Sequence, residues 1–334
     1  MSGSAAHRAK RAQRPGERDT KLTAEPESRG PAPHRSGFVS IAGRPNAGKS
    51  TLLNALIGEK LAIVARQAQT TRTSIQGVLT TPDAQIAFID TPGIHLSGAL
   101  FNRRMMDAVR NALAQADLIL YLADATVAVT SEDEQALGAL SKSSKALLVL
   151  NKIDRLQDKR LLLPLIERYG ELFPFLESIP ISARTGVGLE ELTSAVKKHL
   201  PEGPALFPED FLTDQPMRFL AAEIVRERIL QAAREEVPHA AAVLIDEWEQ
   251  RPALARISAT IYVERPGQKT ILIGNRGEML KKIGSEARQQ LERMLGRKVF
   301  LSLFVKVRPN WREDPSFLDA VDWRSMVGSE DRRS

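Results

Sequence analysis

There is no cysteine among the 334 residues, which excludes disulfides, thiolate metal sites and a cysteine nucleophile. That absence agrees with a reducing compartment. Nowhere does the chain hold the roughly 18 consecutive apolar residues of a membrane span. The first 36 residues nearly lack apolar side chains, and carry Arg8, Lys10, Arg11, Arg14, Arg18, Lys21, Arg29 and Arg35 between Pro15, Pro26, Pro31 and Pro33. Such a stretch buries too little surface to offset the entropy of ordering it, and it has no secretory apolar core. Glu17, Asp19, Glu25 and Glu27 count against an organellar transit peptide. Residues 1–36 are therefore expected to be a disordered basic tail, with at most weak contact to RNA. The whole chain is 43% hydrophobic, enough for ordinary cores, and is long enough for two domains.

What is present begins with Gly43-Arg44-Pro45-Asn46-Ala47-Gly48-Lys49-Ser50, two glycines at phosphate-loop spacing followed by Lys-Ser. Phe38 to Ala42 before it read as a buried strand. Leu52, Leu53, Leu56 and Ile57 after it are helically spaced, with Gly58 as a stop. In that context the loop N–H groups and the helix N-terminus make an anion cradle. Lys49 adds charge at the β- and γ-phosphates, and the Ser50 hydroxyl is a ligand for Mg2+.

Residues 37–200 read as one α/β domain. Further strands are expected at Gln85–Ile89, Leu118–Ala123, Ala146–Leu150 and Ser178–Ile181. Phe101, Met105, Val109 and Leu113 form one helical stripe, Leu189, Leu192 and Val196 another, and Ser131 with Glu134 reads as a capping box. Alternating strands and helices imply a mostly parallel sheet covered on both faces, with ligands beyond the strands' carboxyl ends. The remaining motifs fall there. Asp90-Thr91-Pro92-Gly93 offers a carboxylate for Mg2+, commonly through water, and a glycine N–H for a γ-phosphate; alone, that tetrapeptide usually means a turn. Asn151-Lys152-Ile153-Asp154 closes a strand, and a carboxylate there can accept from the N1–H and 2-amino groups of guanine, which adenine lacks. Read by itself it is as well explained by a turn. Ser182-Ala183-Arg184 supplies backbone N–H groups for the base carbonyl. In Gln69-Thr70-Thr71-Arg72, a threonine hydroxyl can ligate Mg2+ while GTP is bound.

In this order the motifs resemble the translation-factor-related GTPases, and in detail the Era GTPases. The resembling stretches are Gly43 to Asn54, Ala68 to Arg72 and Asp90 to His95, and the likeness runs from Gly37 to about Phe317. It implies that Gly43, Asn46, Ala47, Gly48, Lys49, Ser50, Thr51, Asp90, Gly93, Asn151, Lys152, Asp154, Ser182 and Ala183 bind GTP. Ser50, Thr71 and Asp90 would hold Mg2+, and Lys49, Asn46, Thr71 and Gly93 would serve hydrolysis. Many small GTPases place a water-orienting glutamine where this chain has Ile94, and His95 beside it is not read as a base. Asn46 resembles the asparagine that helps bind a potassium ion in related GTPases, where the ion partly stands in for an arginine finger.

Residues 201–216, with Pro201, Pro204, Pro208 and Pro216, have a linker composition; they are expected to be docked, since Phe207 and Phe211 would otherwise be exposed. Residues 217–308 read as a smaller α+β domain. Leu220, Ile224, Val225 and Ile229 form a helix stripe, and residues 257–263 and 299–307 alternate as half-buried strands. Gly274-Asn275-Arg276-Gly277 precedes a helix from Glu278 to Leu295. In that setting it resembles the loop of a type II KH domain, which clamps single-stranded RNA. Arg256 to Arg308 holds twelve Lys or Arg against four Glu, while the whole chain is +6. The basic excess therefore sits where Gly274, Asn275, Arg276, Gly277, Lys281 and Lys282 would meet phosphates. Residues 309–334 form a C-terminal tail, similar to Era proteins through Trp311 to Pro315.

The resemblance implies a phosphate-loop GTPase domain followed by a type II KH domain. It implies a monomer that uses GTP, Mg2+ and K+ and binds the 3′ end of small-subunit ribosomal RNA during assembly of that subunit. A cytoplasmic location is expected. A tRNA-modification GTPase would end in a cysteine, and there is none. A peripheral switch at the inner face of the cell membrane is the second rival, one of partner binding rather than RNA work.

Overall fold

The computed structural model describes residues 34–65, 71–93, 100–233 and 237–325. Gln69, Thr70, Ile94, His95 and the expected tail up to residue 33 lie outside them, as do residues 326–334. The first part of the chain forms β1 (Arg35–Ala42), α1 (Lys49–Ile57), β2 (Ile75–Thr81), β3 (Ala84–Asp90), α2 (Leu100–Ala114), β4 (Leu118–Asp124), α3 (Ser131–Gly138), β5 (Ala146–Asn151), α4 (Leu162–Leu172), β6 (Ser178–Pro180) and α5 (Leu189–His199). The sheet order is β2-β3-β1-β4-β5-β6. Every pairing is parallel except β2 with β3.

Residues of β3 and β5 are buried throughout, and β4 nearly so, which explains why these strands read as continuous apolar runs rather than alternations. Leu52, Leu53 and Leu56 of α1 and Leu192 and Val196 of α5 cover one face. Val109 of α2, Leu137 of α3 and Leu162 and Tyr169 of α4 cover the other. β1 pairs with β3 on one side and β4 on the other. The connections leave it in opposite directions, so a crevice opens at its carboxyl end.

Two local expectations are corrected. The cap of α3 is one residue earlier than Ser131 and Glu134 suggested. Thr130 accepts from the Asp133 N–H, and the Asp133 carboxylate reaches back to the Thr130 N–H at 3.1 Å. Asp133 is also fully buried and accepts from the Tyr121 hydroxyl, a tertiary bond that Glu134, on the solvent side, cannot make. β2 was not expected, because IQGVLTT alternates weakly; it is held by pairing along its length with β3.

The connector lies along the β1, β2 and β3 side of the sheet. The buried Gln85 carboxamide accepts from the N–H groups of Leu206 and Phe207 and donates to the Phe207 carbonyl. Phe207 stacks on Phe211 at 4.8 Å and meets the edge of Phe38. Beyond it come α6 (Met217–Ala232), α7 (Val237–Ala240), β7 (Ala242–Gln250), β8 (Leu254–Val263), α8 (Pro266–Ile273), α9 (Glu278–Leu295) and β9 (Lys298–Val307). β8 runs antiparallel to β7 and parallel to β9. A parallel pair needs a crossover, which α8 and α9 supply. Past β9, Trp311 is fully buried, donates to the Ala240 carbonyl and packs on Phe101 of α2 and on Phe317 of α10 (Pro315–Val321). The residues expected to trail as a tail thus begin with a folded segment.

Candidate functional site

At the carboxyl end of β1 the chain turns back over itself. Gly43 has φ +141°, and a Cβ there would lie 2.3 Å from the Leu122 carbonyl oxygen, so only glycine lets the loop pass so close. The loop ends at the N-terminus of α1. Lys49 is buried and donates from Nζ to the Gly43 and Arg44 carbonyls, both at 3.0 Å. Burial brings its ammonium down to about 8 although Asp90 opposes the change. An anion drawn into the cradle would therefore strengthen the charge that the protein alone disfavours.

Ser50, Thr71 and Asp90 meet at one point beside the loop. The Ser50 hydroxyl lies 2.7 Å from the Thr71 hydroxyl and donates to Asp90 Oδ2 at 2.7 Å, and Thr71 donates to the same oxygen at 2.8 Å. Oxygens bound to Mg2+ at about 2.0–2.1 Å in an octahedron stand about 2.9 Å apart along an edge, so this cluster fits that ion. Asp90 Oδ1 is buried with no hydrogen-bond partner among the described residues. Burial raises the Asp90 pKa, Lys49 and the two hydroxyls notwithstanding. A divalent cation would answer both the orphaned oxygen and the disfavoured charge.

On the other side of the cleft Asn151 ties three segments together. Its Nδ2 donates to the Ala47 carbonyl at 2.9 Å, while its Oδ1 accepts from the N–H groups of Lys152 and Ala183. Lys152 adopts φ +69° and donates to the Asn46 carbonyl and to Asp124 Oδ2. Asp154 accepts from the Ser182 hydroxyl at 2.7 Å and the Arg184 guanidinium at 2.5 Å. The Ser182 bond, followed by the charge of Arg184, holds its carboxyl below the usual range. Acceptor capacity at Asp154 is thus fixed in the charged state.

One expectation about this end needs revision. The Ser182 N–H donates to the Val187 carbonyl at 2.8 Å and that of Ala183 to Asn151. In this structure neither N–H is free for a base carbonyl, because both close the loop that carries Asp154; Ser182 acts instead through its hydroxyl. Phosphate loop, Thr71, Gly93, Asn151, Asp154 and Ala183 all line one cleft of about 1030 Å³, ample for a nucleotide. Gln231 of α6 also lines it. No local pattern in the sequence could have placed a residue of the second domain there. Arg184, by contrast, directly follows the Ser-Ala pair, and its charge was the available signal.

The second site is the loop between α8 and α9. Gly274 has φ +72°, and a Cβ there would press on Met279 at 2.7 Å. Arg276 follows at φ +49° within a single 3-10 turn, Asn275–Gly277. Asn275, Arg276, Lys281 and Lys282 are exposed, and Ile271 stands 51% exposed beside them. A tight turn opening into a helix N-terminus, with cations around it, suits a phosphate backbone.

A family model described as "50S ribosome-binding GTPase" matches residues 38–152, and one described as "KH domain" matches residues 236–312. The chain is 48% identical to the GTPase Era of Geobacter metallireducens, over 87% of this chain and 98% of that protein. It is 45% identical to GTPase Era of Lactobacillus delbrueckii subsp. bulgaricus, over 87% and 96%. Among solved structures it resembles Era in complex with MgGDPNP and nucleotides 1506–1542 of 16S ribosomal RNA. That likeness has a TM-score of 0.84 at 42% identity, over 87% of this chain and 99% of that one. A variant of Aquifex aeolicus Era bound to GDP and AlF4 gives a TM-score of 0.83 at 42% identity, over 86% and 99%.

Proposed function

The chain belongs to the Era GTPase family, and from that premise we propose that it hydrolyses GTP in the cleft at the end of β1 while its KH loop holds single-stranded RNA at the 3′ end of the small-subunit ribosomal RNA. Its work is the assembly of the small subunit, as a monomer. The observation that carries the nucleotide half is Asn151, whose carboxamide joins the phosphate loop at Ala47 to the Asp154 loop at Ala183. A base reader and a phosphate reader are thereby held in one frame. The RNA half rests on the exposed basic loop and on the likeness to the RNA-bound Era structure.

In the reaction, Lys49 and the N–H groups at the start of α1 stabilise charge on the β- and γ-phosphates. Asp154 fixes the base, so binding energy far from the reacting bond positions the γ-phosphate. Ser50, Thr71 and Asp90 would hold Mg2+, which neutralises developing phosphate charge when bound. Asn46 is exposed at the cleft, with its backbone carbonyl taken by Lys152. Its carboxamide oxygen suits K+, a weakly hydrated cation for the site. Hydrolysis should run several-fold faster in potassium than in sodium, and Asn46→Ala should abolish the difference. Equal wild-type rates in both salts would remove the potassium reading.

The RNA assignment is tested with Asn275→Glu and Arg276→Glu together. Affinity for single-stranded RNA should fall about tenfold, and the slope of log affinity against log salt should flatten as phosphate contacts are lost. GTP hydrolysis without RNA should persist. The wild-type protein should co-sediment with small ribosomal subunits rather than with anionic lipid vesicles; capture by vesicles alone would favour the membrane reading. Undiminished RNA affinity in the double variant would exclude the loop.

A further inference from the structure

Among the described residues β9 is an edge strand, bonded to β8 alone. Val299 and Val305 point inward to the helices, while Lys298, Phe300, Phe304 and Lys306 alternate with them on the outer face and are exposed. Phe300 is 57% and Phe304 54% exposed, the two aromatic rings among the exposed large hydrophobic side chains of the described residues. The register puts Arg256 beside Phe300, and its guanidinium lies 5.9 Å from that ring's centre. The far end of the face is closed, since Phe317 packs edge-on against Tyr262 at 4.9 Å. Of the acids on β7, Glu249 is the register partner of Arg256 and pairs with Arg251 at 2.7 Å, and Asp246 accepts from the Thr260 hydroxyl at 2.7 Å, so both carboxylates are engaged within the sheet. Apolar rings on a free edge invite pairing with other chains, so their exposure calls for an occupant.

We propose that the outer face of β9 is a second single-stranded RNA surface, on which bases stack against Phe300 and Phe304 while Arg256, Lys298 and Lys306 hold the backbone. It rests on the RNA-binding reading of the chain and extends the footprint beyond the loop at Gly274–Gly277. The chemistry favours RNA over a protein partner because each ring is flanked by cations on the same face: Lys298 and Arg256 beside Phe300, Lys306 beside Phe304. Every base has a π-face, so stacking of this kind is tolerant of sequence. The rings sit four strand residues apart, about 13 Å at the usual rise. Neighbouring bases stacked at about 3.4 Å could not reach both; the strand must cross the sheet with its bases splayed.

The test uses the full chain and two oligouridylates, one of four nucleotides, the length a KH loop clamps, and one several times longer. Phe300→Ala with Phe304→Ala should keep the wild-type melting temperature, because both rings are exposed. It should weaken the long RNA about tenfold or more, since each stacked base contributes about 1–3 kcal/mol, and leave the short one unchanged. Asn275→Glu with Arg276→Glu should weaken both. Photocrosslinks from 4-thiouridine in the long RNA should map to residues 298–306. If the two-phenylalanine variant binds long RNA as wild type does, the surface is not an RNA site. Loss of subunit co-sedimentation with RNA affinity intact would assign it to a protein partner and overturn the proposal. If instead the loop variant alone keeps full affinity, the KH-loop reading fails while the β9 result still stands on its own.

Discussion

Asp154→Asn should convert the chain from a GTP binder into one that prefers xanthosine triphosphate. The carboxylate is held in its charged form by Ser182 and Arg184, so it presents acceptors to the two donors of guanine. An asparagine amide turns one of those acceptors into a donor. Each hydrogen bond to a charged group contributes about 1.5–3 kcal/mol, and the opposed donors add a further cost. The loss for GTP should therefore be about 100-fold or more. Xanthine carries a carbonyl in place of the 2-amino group and accepts from the new amide, so its triphosphate should gain what GTP loses. Side effects should be small: the Ser182 hydroxyl can still donate to the asparagine oxygen, and the Arg184 side chain is 66% exposed, where an ion pair contributes little. Calorimetric titration with GTP, ATP and xanthosine triphosphate checks this. Wild type binding ATP as tightly as GTP would show that Asp154 does not read the base.

The second large effect should be coupling between nucleotide and RNA, about 5- to 150-fold in affinity, or about 1–3 kcal/mol. Thr71 meets Ser50 and Asp90, and the next residue reaches across to the other domain. Arg72 donates to the Ala241 carbonyl at 2.8 Å and lies over the rings of Phe101 and Trp311 at 5.3 and 5.7 Å. Burial disfavours its charge, Arg226 adds to that, and Glu223 opposes it. Nearby, the Glu227 carboxylate of α6 takes Lys60 at 2.6 Å and the Val64 N–H at 2.8 Å. Beyond Gly93, the Leu100 N–H and Arg104 bind Glu313 and Asp319. Segments flanking Thr71 and Gly93 are thus fastened to α6 and to the C-terminal segment. A shift of Thr71 on loss of the γ-phosphate has to drag Arg72 out of its ring contacts or move the KH domain with it.

RNA should therefore bind more tightly with a non-hydrolysable GTP analogue than with GDP, and by linkage RNA should tighten the analogue by the same factor. Arg72→Lys keeps the charge but loses the planar stack, and should bring both ratios toward one. Identical RNA affinities with the analogue, with GDP and without nucleotide would leave two independent modules.

The motifs with the most chemistry were legible because they are local. A strand, a glycine-permitted turn and a helix N-terminus are written within about fifteen residues, from Phe38 to Leu53. Helix boundaries followed the same logic where nothing distant interfered: α9 runs from Glu278 to Leu295 as expected after the Gly-x-x-Gly turn. The cap of α3 departed by one residue because Asp133 had a buried partner, Tyr121, that no window of sequence contains. β2 escaped notice because its stability lies in its partner strand, not in its own alternation.

By itself, then, the sequence carried the two-domain organisation, most of the elements and the candidate residues for phosphate, metal and base. Only the tertiary structure decided how those residues are engaged. It spends the Ser182 and Ala183 N–H groups inside the loop, sets Arg184 on Asp154, brings Gln231 into the nucleotide cleft and seats Arg72 between Phe101 and Trp311. The physical reason is range. Backbone preference and hydrophobic period act over one or two turns of chain. Which donor meets which acceptor across 30 to 240 residues depends on how whole faces bury their apolar surface, and that is settled only when they pack.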